Sequence, residues 1–198
     1  AVTAAGPCEG QAVLDACAAP GGKSFMAAML MHNKGSILAA DINAKKLTRI
    51  EQGAERLGIG IIKTARIDAT VRNEEFIERF DLVIADVPCS GFGIIRKKPE
   101  IRYKSIEETA ALPEIQLKII DNLSAYVKKG GALLYSTCTI IPEENEGVIS
   151  AFLSKHPEFS PEAFVLPQPL GRQESGMLTL YPHVHGTDGF FMCKMRKN

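Results

Sequence analysis

The amino-acid sequence predicts an α/β fold built on a mostly parallel β-sheet with helices on both faces. Along the 198 residues, short apolar runs alternate with longer amphipathic runs, which is the pattern of repeated strand–helix–strand units. Several short runs are apolar at nearly every position, as expected for strands buried on both faces. Hydrophobic residues make up 45% of the chain and charged residues 23%, which is the balance of a globular domain and excludes disordered and collagen-like chains.

Seven strands are predicted. Five belong to the parallel part of the sheet, at residues 11–17, 36–41, 60–67, 80–87 and 132–136. The fourth has the most continuous apolar run and ends at Pro88, and the fifth follows a pair of glycines. After a predicted loop at 168–176, two closing strands at 177–181 and 190–195 are expected to form an antiparallel hairpin. The sheet is therefore expected to be mostly parallel, with an antiparallel C-terminal strand.

The helices are predicted at 23–31, 43–57, 105–127 and 143–155, with one or two helical turns at 74–79. The second has apolar residues at spacings of three and four: Leu47, Ile50, Ala54 and Leu57. Gly58 is a candidate to end it, because glycine adopts the left-handed conformation of a C-cap without strain. Ser105 followed by Glu108 is a capping-box pattern, and Pro113 is expected to kink or divide the helix that this box opens.

Composition excludes several classes of protein. No apolar run approaches the roughly 18 residues of a membrane span. The 23 basic and 23 acidic residues cancel, so any contact with nucleic acid must be local. The five cysteines are odd in number, widely spaced and without a C-x-x-C pair: Cys8, Cys17, Cys89, Cys138 and Cys193. This pattern argues against a zinc site or a disulfide framework and predicts a reducing, cytoplasmic environment.

Some polar residues are assigned structural roles only. Glu143, Glu144 and Glu146 open the last long helix, where negative charge complements the helix dipole, and they are expected to act as caps. His183 and His185 stand one residue apart without further ligands nearby in the sequence, so they are interpreted as loop residues. The sequence therefore predicts no metal site.

Aspartates follow four successive predicted strands: Asp15, Asp41, Asp68 and Asp86. Because the carboxyl ends of parallel strands meet at one edge, where such sheets bind ligands, this edge is the candidate site. The turn after the first strand holds the candidate ligand-binding residues Cys17, Ala18, Ala19, Pro20, Gly21, Gly22 and Lys23. Asp41 stands where a carboxylate can accept the hydroxyls of a ribose, unless it only caps the helix, a role that Asn43 could fill. The turn lacks G-x-G-x-x-G and P-loop spacing, which disfavours nicotinamide and ATP.

Cys89 and Cys138 follow the fourth and fifth strands, which are neighbours in such a sheet, so both thiols are expected to face one cleft. Both lie among turn-forming residues rather than in apolar runs, unlike a structural cysteine. The structural interpretation is kept for Cys8, Cys193 and the side chain of Cys17. A reactive thiolate needs a depressed pKa, for which Lys23 and helix N-termini are candidate causes.

The segments DACAAPGGK, DVPCSGFG and YSTCT, in this order and spacing, closely resemble the RNA cytosine-5 methyltransferases of the nucleolar-protein/Sun family. The resemblance covers nearly the whole chain from Gln11 onward and points to the bacterial branch that acts on small-subunit ribosomal RNA. Departures from the family pattern are modest: Ala16 stands where Leu is frequent, Ser24 where Thr is frequent, and Tyr103 where Trp is frequent. The resemblance implies a Rossmann-like class I S-adenosylmethionine-dependent methyltransferase fold.

The resemblance also implies a mechanism. Carbon 5 of cytosine is a poor nucleophile, and addition of a thiolate at carbon 6 makes it reactive. By resemblance, Cys138 is the nucleophile, Cys89 assists release, and Asp86 hydrogen-bonds the N3 edge of the base and borders the cofactor. S-adenosylmethionine is expected along residues 17–23, with Asp41 on the ribose and Asp68 near the adenine. Lys23 is expected to orient either the methionine carboxylate or the base.

A basic segment at residues 94–104, similar to the family's Arg-rich stretch, is the candidate RNA contact. It holds five basic residues and one acidic residue, and its candidate RNA-binding residues are Arg96, Lys97, Lys98, Arg102 and Tyr103. Positive charge beside an aromatic ring suits a single-stranded substrate. The alternative interpretation is a solvated loop that does not contact RNA. Because the segment adjoins the Cys89 motif, neither interpretation is preferred over the other.

Two rival functions remain at the level of the sequence. A thiol hydrolase using Cys138 would need a histidine base, for which no convincing candidate exists, whereas a catalytically silent RNA-binding scaffold is harder to exclude. Transfer RNA and large-subunit ribosomal RNA are alternative substrates. We expect residues 1–198 to form a single catalytic domain, a fragment of a longer chain without its N-terminal RNA-binding domain, and to be monomeric.

Overall fold

A computed structural model describes residues 1–198. The strands are β1 (Ala12–Asp15), β2 (Ser36–Asp41), β3 (Ile62–Arg66), β4 (Phe80–Asp86), β5 (Val127–Thr137), β6 (Phe159–Pro161), β7 (Phe164–Val165), β8 (Arg172–Gln173), β9 (Met177–Leu180) and β10 (Phe190–Lys197). The α-helices are α1 (Val2–Ala5), α2 (Gly22–Leu30), α3 (Ala44–Arg56), α4 (Leu112–Ser124), α5 (Glu146–Lys155) and α6 (Pro182–His185). None of these helices is long and apolar enough to cross a membrane.

The main sheet has eight strands in the order β3-β2-β1-β4-β5-β10-β6, with β9 also paired to β10. The first five positions are parallel, and β10 runs antiparallel to β5. Strands β6 and β9 pair with different stretches of β10 on the side away from β5, so eight strands fill seven positions. The predicted mostly parallel α/β sheet with an antiparallel C-terminal strand is confirmed.

Each face of the sheet is covered by a separate set of helices. Alternate residues of β4 show the division, because Val83 and Ala85 pack with α4 and α5, whereas Leu82 and Ile84 pack with α1 and α2. Helix α3 covers the latter face farther along the sheet through Leu47 and Ile50. Burial on both faces explains why the predicted strand at 80–87 is a continuous apolar run.

Most helix signals in the sequence operate as expected. Asn43 caps α3 by accepting a hydrogen bond from the Lys45 amide, and Gly58, at φ +66°, follows its last turn. Pro113 lies in the first turn of α4 and therefore begins a helix instead of kinking one, because proline lacks only an N–H that the first turn leaves free. The Ser105 hydroxyl does accept the Glu108 amide, but it caps only a 3₁₀ turn, Glu107–Thr109.

Two parts of the C-terminal half differ from the sequence prediction. The predicted helix at 143–155 is a 3₁₀ turn, Pro142–Glu144, followed by α5, with a break at the buried Asn145. The predicted loop at 168–176 contains β8, which pairs with β7 outside the main sheet, and β6 was not predicted at all. Strands of two or three residues are too short to show a periodic pattern, so only tertiary pairing defines them.

Candidate active site

The carboxyl edge of the parallel sheet carries the four aspartates. Asp15, Asp41 and Asp86 end β1, β2 and β4, and Asp68 lies two residues after β3. Because these strands occupy adjacent positions in the order β3-β2-β1-β4, all four residues lie along one edge, as the sequence predicted. Their functions remain predictions, but their common location follows from the topology.

A cleft of about 230 Å³ opens at this edge. Among the predicted cofactor-binding residues, Cys17, Asp41 and Asp68 line it, together with Ile42, Ile67, Pro88, Ile115 and other side chains. The cleft is not lined by the other predicted cofactor-binding residues: Ala18, Ala19, Pro20, Gly21, Gly22, Lys23 and Asp86. All of these except Asp86 belong to the turn that directly follows Cys17, which does line the cleft. The cleft wall is mainly apolar and includes two carboxylates, as expected for a nucleoside site.

The glycine turn after β1 is held by backbone bonds and by a carboxylate. Asp41 accepts hydrogen bonds from the Ala19 amide at 3.3 Å and from the Asn43 amide at 2.9 Å, so it joins the turn to the start of α3. Gly21 has φ +108°, and a Cβ there would lie 2.7 Å from the Phe25 ring, so this position needs glycine. A Cβ at Gly22 would meet no atom within 4 Å, which leaves the backbone open to a ligand there.

Buried groups below the turn have shifted pKa values. Burial raises the pKa of Asp15 to about 6, although the Ser24 hydroxyl donates to its Oδ2 at 2.6 Å. Its Oδ1 is buried without a partner. Burial also raises the pKa of Cys17 to about 12, so this thiol stays protonated and serves as an apolar wall, in line with the structural role expected for it. In contrast, the Thr70 hydroxyl and amide lower the pKa of the half-buried Asp68.

Lys23 and Asp86 form an ion pair beside the cysteines. The Lys23 ammonium is 2.6 Å from Asp86 Oδ2, and the Ser136 hydroxyl donates to Asp86 Oδ1 at 2.7 Å. The same ammonium lies 5.6 Å from the centre of the Phe190 ring, an aromatic neighbour that the sequence did not indicate. Lys23 therefore reaches from the first turn of α2 to the end of β4.

Cys89 and Cys138 meet as predicted, with their sulfur atoms 3.2 Å apart. The Cys138 amide also donates to Cys89 Sγ at 3.3 Å. Because the Cys89 thiol hydrogen-bonds its sulfur, the pKa of Cys138 is lowered to about 7, although burial opposes the shift. The pKa of Cys89 is raised by the same hydrogen bond and by burial. Of the two thiols, Cys138 is therefore the one that ionises more readily, whereas Cys89 stays protonated.

The basic segment at 94–104 lies on the surface next to the Cys89 loop. Arg96, Lys97, Lys98, Arg102 and Tyr103 are all exposed, and Tyr103 is 84% exposed. Arg96 and Lys97 form ion pairs with Asp188, which precedes β10, and the Lys104 ammonium donates to the Ser90 carbonyl. Buried Ile101 anchors the segment, so its charges project outward from a fixed base.

Glu144 differs from the capping role that its sequence position indicated. It is 1% exposed, and its Oε2 accepts a hydrogen bond from the Ser90 amide, next to Cys89. Glu143 is exposed, as a cap would be, and Glu146 accepts the Thr179 hydroxyl. No sequence signal separates Glu144 from its neighbours, because the residue that turns inward is decided by the helix break at Asn145.

His183 and His185 lie in the short helix α6, where the Tyr181 amide donates to His185 Nδ1. No group of three or more His, Cys, Asp or Glu side chains is arranged to hold a metal ion. The polar groups at the sheet edge are thus organised as a thiol pair, an ion pair and a cleft.

Residues 2–196 match the family described as 16S rRNA methyltransferase RsmB/F. The probable ribosomal RNA small subunit methyltransferase B of Bacillus subtilis (strain 168) is 48% identical over 96% of this chain and 44% of its own length. The 28S rRNA (cytosine-C(5))-methyltransferase of Mus musculus is 37% identical over 99% of this chain and 26% of its own. The chain thus spans less than half the length of these curated relatives.

A solved structure gives the same result for the fold. NSun6 from Pyrococcus horikoshii, crystallised with SFG, superposes with a TM-score of 0.84 at 32% identity, covering 99% of this chain and 50% of that chain. The resemblance first indicated by the glycine turn and the two cysteine motifs is confirmed along nearly the whole sequence. This chain belongs to the RsmB/F family of 16S rRNA methyltransferases.

Proposed function

We propose that this chain methylates carbon 5 of a cytosine in small-subunit ribosomal RNA, with S-adenosylmethionine as the methyl donor. Family membership and the names of the relatives support the reaction class. The observation that carries the proposal is the 3.2 Å contact between Cys89 and Cys138, next to the Lys23–Asp86 ion pair. Cytosine activation requires a thiolate and a proton source in one site, and these four side chains supply both.

Cys138 is the nucleophile. With its pKa lowered to about 7, about half of this thiol is ionised near neutral pH, and the thiolate is the form that adds to carbon 6 of the base. As the sulfur–carbon bond forms, N3 of the cytosine takes up a proton and carbon 5 becomes able to attack a methyl group. Asp86 and the Lys23 ammonium, 2.6 Å apart, are the hydrogen-bonding and proton-donating pair for that edge of the base.

Cys89 acts in the release step. Its pKa is raised chiefly by the hydrogen bond to Cys138, and this cause disappears once Cys138 is bound to carbon 6 and carries no charge. Cys89 can then give its thiol proton to solvent, and the resulting thiolate takes the proton from carbon 5. Loss of that proton restores the double bond between carbons 5 and 6 and expels the Cys138 thiolate, and N3 returns its proton to the Lys23–Asp86 pair, which ends the cycle.

The cleft residues fit the cofactor. Cys17 and other apolar side chains line its wall, Asp41 ends β2 where a ribose is expected, and Gly22 leaves the backbone open to a ligand. Asp41 would hold the ribose, Asp68 would lie near the adenine, and residues 17–23 would follow the methionine end. When bound, S-adenosylmethionine supplies an electrophilic methyl group. Asp41 is also held in place by two backbone amides, so its carboxylate is preorganised.

A covalent trap tests the chemistry. RNA containing 5-fluorocytosine keeps fluorine at carbon 5, so the release step cannot occur and the enzyme–RNA bond persists. We expect a complex that survives denaturation and needs S-adenosylmethionine, with the bond mapped by mass spectrometry to Cys138. A folded chain that forms no such complex with its ribosomal target would favour the silent-scaffold alternative.

Calorimetric titration with S-adenosylmethionine tests the cofactor site separately. We expect Asp41→Ala to weaken binding by about 10-fold or more, because the ribose loses a buried acceptor. Asp81→Ala is a matched control, since Asp81 lies near the start of β4, away from the carboxyl edge, and bonds Lys128 and the Ala12 amide. Equal affinities for all three proteins would contradict the assignment of Asp41.

The names of the relatives support small-subunit RNA as the first candidate target. The family description and the Bacillus subtilis relative name the small-subunit RNA, whereas the mouse relative names 28S rRNA, so large-subunit RNA is the second candidate. Methylation of both purified ribosomal RNAs, mapped by bisulfite sequencing, distinguishes them.

We further propose that the chain forms a single catalytic domain, acts as a monomer and works in the cytoplasm. The exposed RNA that it methylates would be bound by the basic segment, through Arg96, Lys97, Lys98, Arg102 and Tyr103. Sedimentation of the protein alone and with RNA tests the monomer.

A further inference from the structure

Behind the two cysteine loops lies a set of buried polar side chains that the chemistry above does not use. They come from α4, the loop after β4, the end of β5 and the break before α5, and each is at most 1% exposed: Ser90, Gln116, Thr137, Thr139, Glu144 and Asn145. We name this set the polar brace. Ser90 and Gln116 are far in sequence from the other four, which lie within 137–145, so the fold brings the set together.

The brace holds the peptide groups on both sides of Cys89. The Ser90 amide donates to Glu144 Oε2 at 2.9 Å. The Gln116 side-chain amide donates to the same oxygen at 2.8 Å and to the Pro88 carbonyl at 2.9 Å. One carboxylate–amide pair therefore fixes the backbone immediately before and after Cys89.

The brace also holds the residues on both sides of Cys138. The Thr137 hydroxyl donates to Asn145 Oδ1 at 2.6 Å, and the Asn145 amide donates to the Thr139 carbonyl at 3.1 Å. A hydrogen bond of 2.7 Å between the Ser90 and Thr139 hydroxyls joins the two loops directly. Because Glu144 and Asn145 are adjacent, the same short stretch of chain fixes the loop of each cysteine.

Stability alone does not explain a carboxylate at this position. Glu144 forms no ion pair within the structure, and its Oε1, like Gln116 Oε1, is buried without a partner. Burying a carboxyl group with an unpartnered oxygen costs free energy, and a pure helix cap would sit at the surface, as Glu143 does. The groups that Glu144 does satisfy belong to the Cys89 loop and to Gln116.

We propose, on the basis of the methyl-transfer function above, that Glu144 and Gln116 are positioning residues that hold the Cys89 thiol against the Cys138 sulfur. Neither residue touches the substrate in this assignment, and both act through the backbone of the Cys89 loop. Release of that loop would let the two sulfur atoms separate from their 3.2 Å contact. The brace thus sets the geometry on which both the attack and the release steps depend.

A measurable consequence follows for the reactivity of Cys138. The groups that act on its ionisation are the Cys89 thiol, its own backbone amide and Lys23, which lower its pKa, and Asp86 and burial, which raise it. Since the Cys89 thiol has the largest effect, loosening its loop should return Cys138 toward the ordinary value of 9. A destabilisation elsewhere in the chain would not produce this shift.

The test is the pH dependence of iodoacetamide alkylation, followed by mass spectrometry on the peptides that hold Cys138 and the exposed Cys8. For wild type we expect half-maximal reactivity of Cys138 near pH 7. Glu144→Ala and the nearly isosteric Gln116→Met should move this midpoint upward and lower the rate at pH 7 about fivefold or more. Glu144→Gln, whose amide oxygen can still accept both hydrogen bonds, should restore the wild-type profile.

Two controls make the result decisive. Cys8 in the same samples should react alike in every variant, and Phe152→Leu, which removes buried atoms from α5, should leave the Cys138 profile unchanged. A folded Glu144→Ala whose Cys138 midpoint equals that of wild type would overturn the proposal. If Glu144→Ala fails to fold, Gln116→Met decides in the same way. No RNA or cofactor is present, so the result is separable from failure of the proposed function.

Discussion

The cysteine loops and the basic segment lie side by side, but the loops are held by buried hydrogen bonds, whereas the segment presents exposed charges. The loops carry partly buried thiols held by the polar brace, with a sulfur–sulfur contact of 3.2 Å. The basic segment at 94–104 carries exposed cations, of which Arg96 and Lys97 pair with the surface carboxylate Asp188. Covalent chemistry needs a fixed geometry, whereas binding a polyanion needs accessible charge, and buried hydrogen bonds and exposed cations provide these respectively.

The largest effect on activity is expected from Cys138→Ala, which removes the proposed nucleophile from the cysteine loops. Without the nucleophile, carbon 5 is not activated, and we expect transfer of labelled methyl groups to RNA to fall by more than about 10³-fold. Binding of S-adenosylmethionine, measured by calorimetry, should not change. Cys8→Ser, at an exposed cysteine, should keep full activity, and equal loss in both variants would contradict the assignment.

Cys89→Ser should separate attack from release. Cys138 still adds to the base, but the group assigned to the release step is lost, so we expect turnover to fall by about 10²-fold and an enzyme–RNA adduct to accumulate. Denaturing electrophoresis with unmodified RNA should reveal that adduct. The double variant Cys89→Ser with Cys138→Ala should show none. Normal turnover without adduct in Cys89→Ser would remove Cys89 from the release step.

The buried Asp15 gives a prediction about stability, because burying a charged group costs free energy that an exposed charge does not. Its pKa is raised from 3.8 to about 6 in the folded chain, so the folded state binds the proton more tightly than the unfolded state. This contribution to stability is complete below pH 3.8 and is lost as the pH rises through 6, by about 3 kcal/mol.

Asp15→Asn removes that titration. The difference in unfolding free energy between variant and wild type, from denaturant titrations, should therefore change in favour of the variant between pH 4 and pH 7. A difference that stays constant over this range would show that Asp15 titrates normally.

The smallest effect is expected in the basic segment. Arg96→Ala with Lys97→Ala should weaken RNA binding about tenfold at low salt and reduce the slope of log affinity against log salt by roughly 2. Stability should change by less than about 0.5 kcal/mol, because both side chains are exposed. Arg49→Ala with Arg56→Ala on α3 is the charge-matched control. RNA binding that ignores both salt and the paired substitution would make the segment a solvated loop.

Much of the fold could be predicted because its strands are buried. Long apolar runs such as 80–87 and the amphipathic period of α3 record burial directly in the sequence, as does the cap at Asn43. In contrast, β6, β7 and β8 have two or three residues each and exist only through their partners. Pro113 is an intermediate case, because a proline indicates a helix boundary but does not show whether the helix begins or ends there.

The candidate site likewise contains residues that could be predicted from the sequence and residues that could not. Its reactive groups could be found because they follow successive strands: the aspartates, the glycine turn, Cys89 and Cys138. The groups that support them could not, because Glu144 looks like any acidic residue at a helix start and Gln116 like any polar residue of α4. Phe190, beside Lys23, likewise carries no local signal of its neighbour.

The α/β class, the family and the residues at the carboxyl ends of the strands could be read from the sequence alone, because hydrophobic periods, strand ends and motifs are local patterns in the chain. Only the tertiary structure decided that Glu144 turns inward, that Lys23 reaches Asp86, and that the two sulfur atoms stand in hydrogen-bonding contact. These contacts join residues about 50 or more positions apart in the chain, so they depend on how helices pack across the sheet.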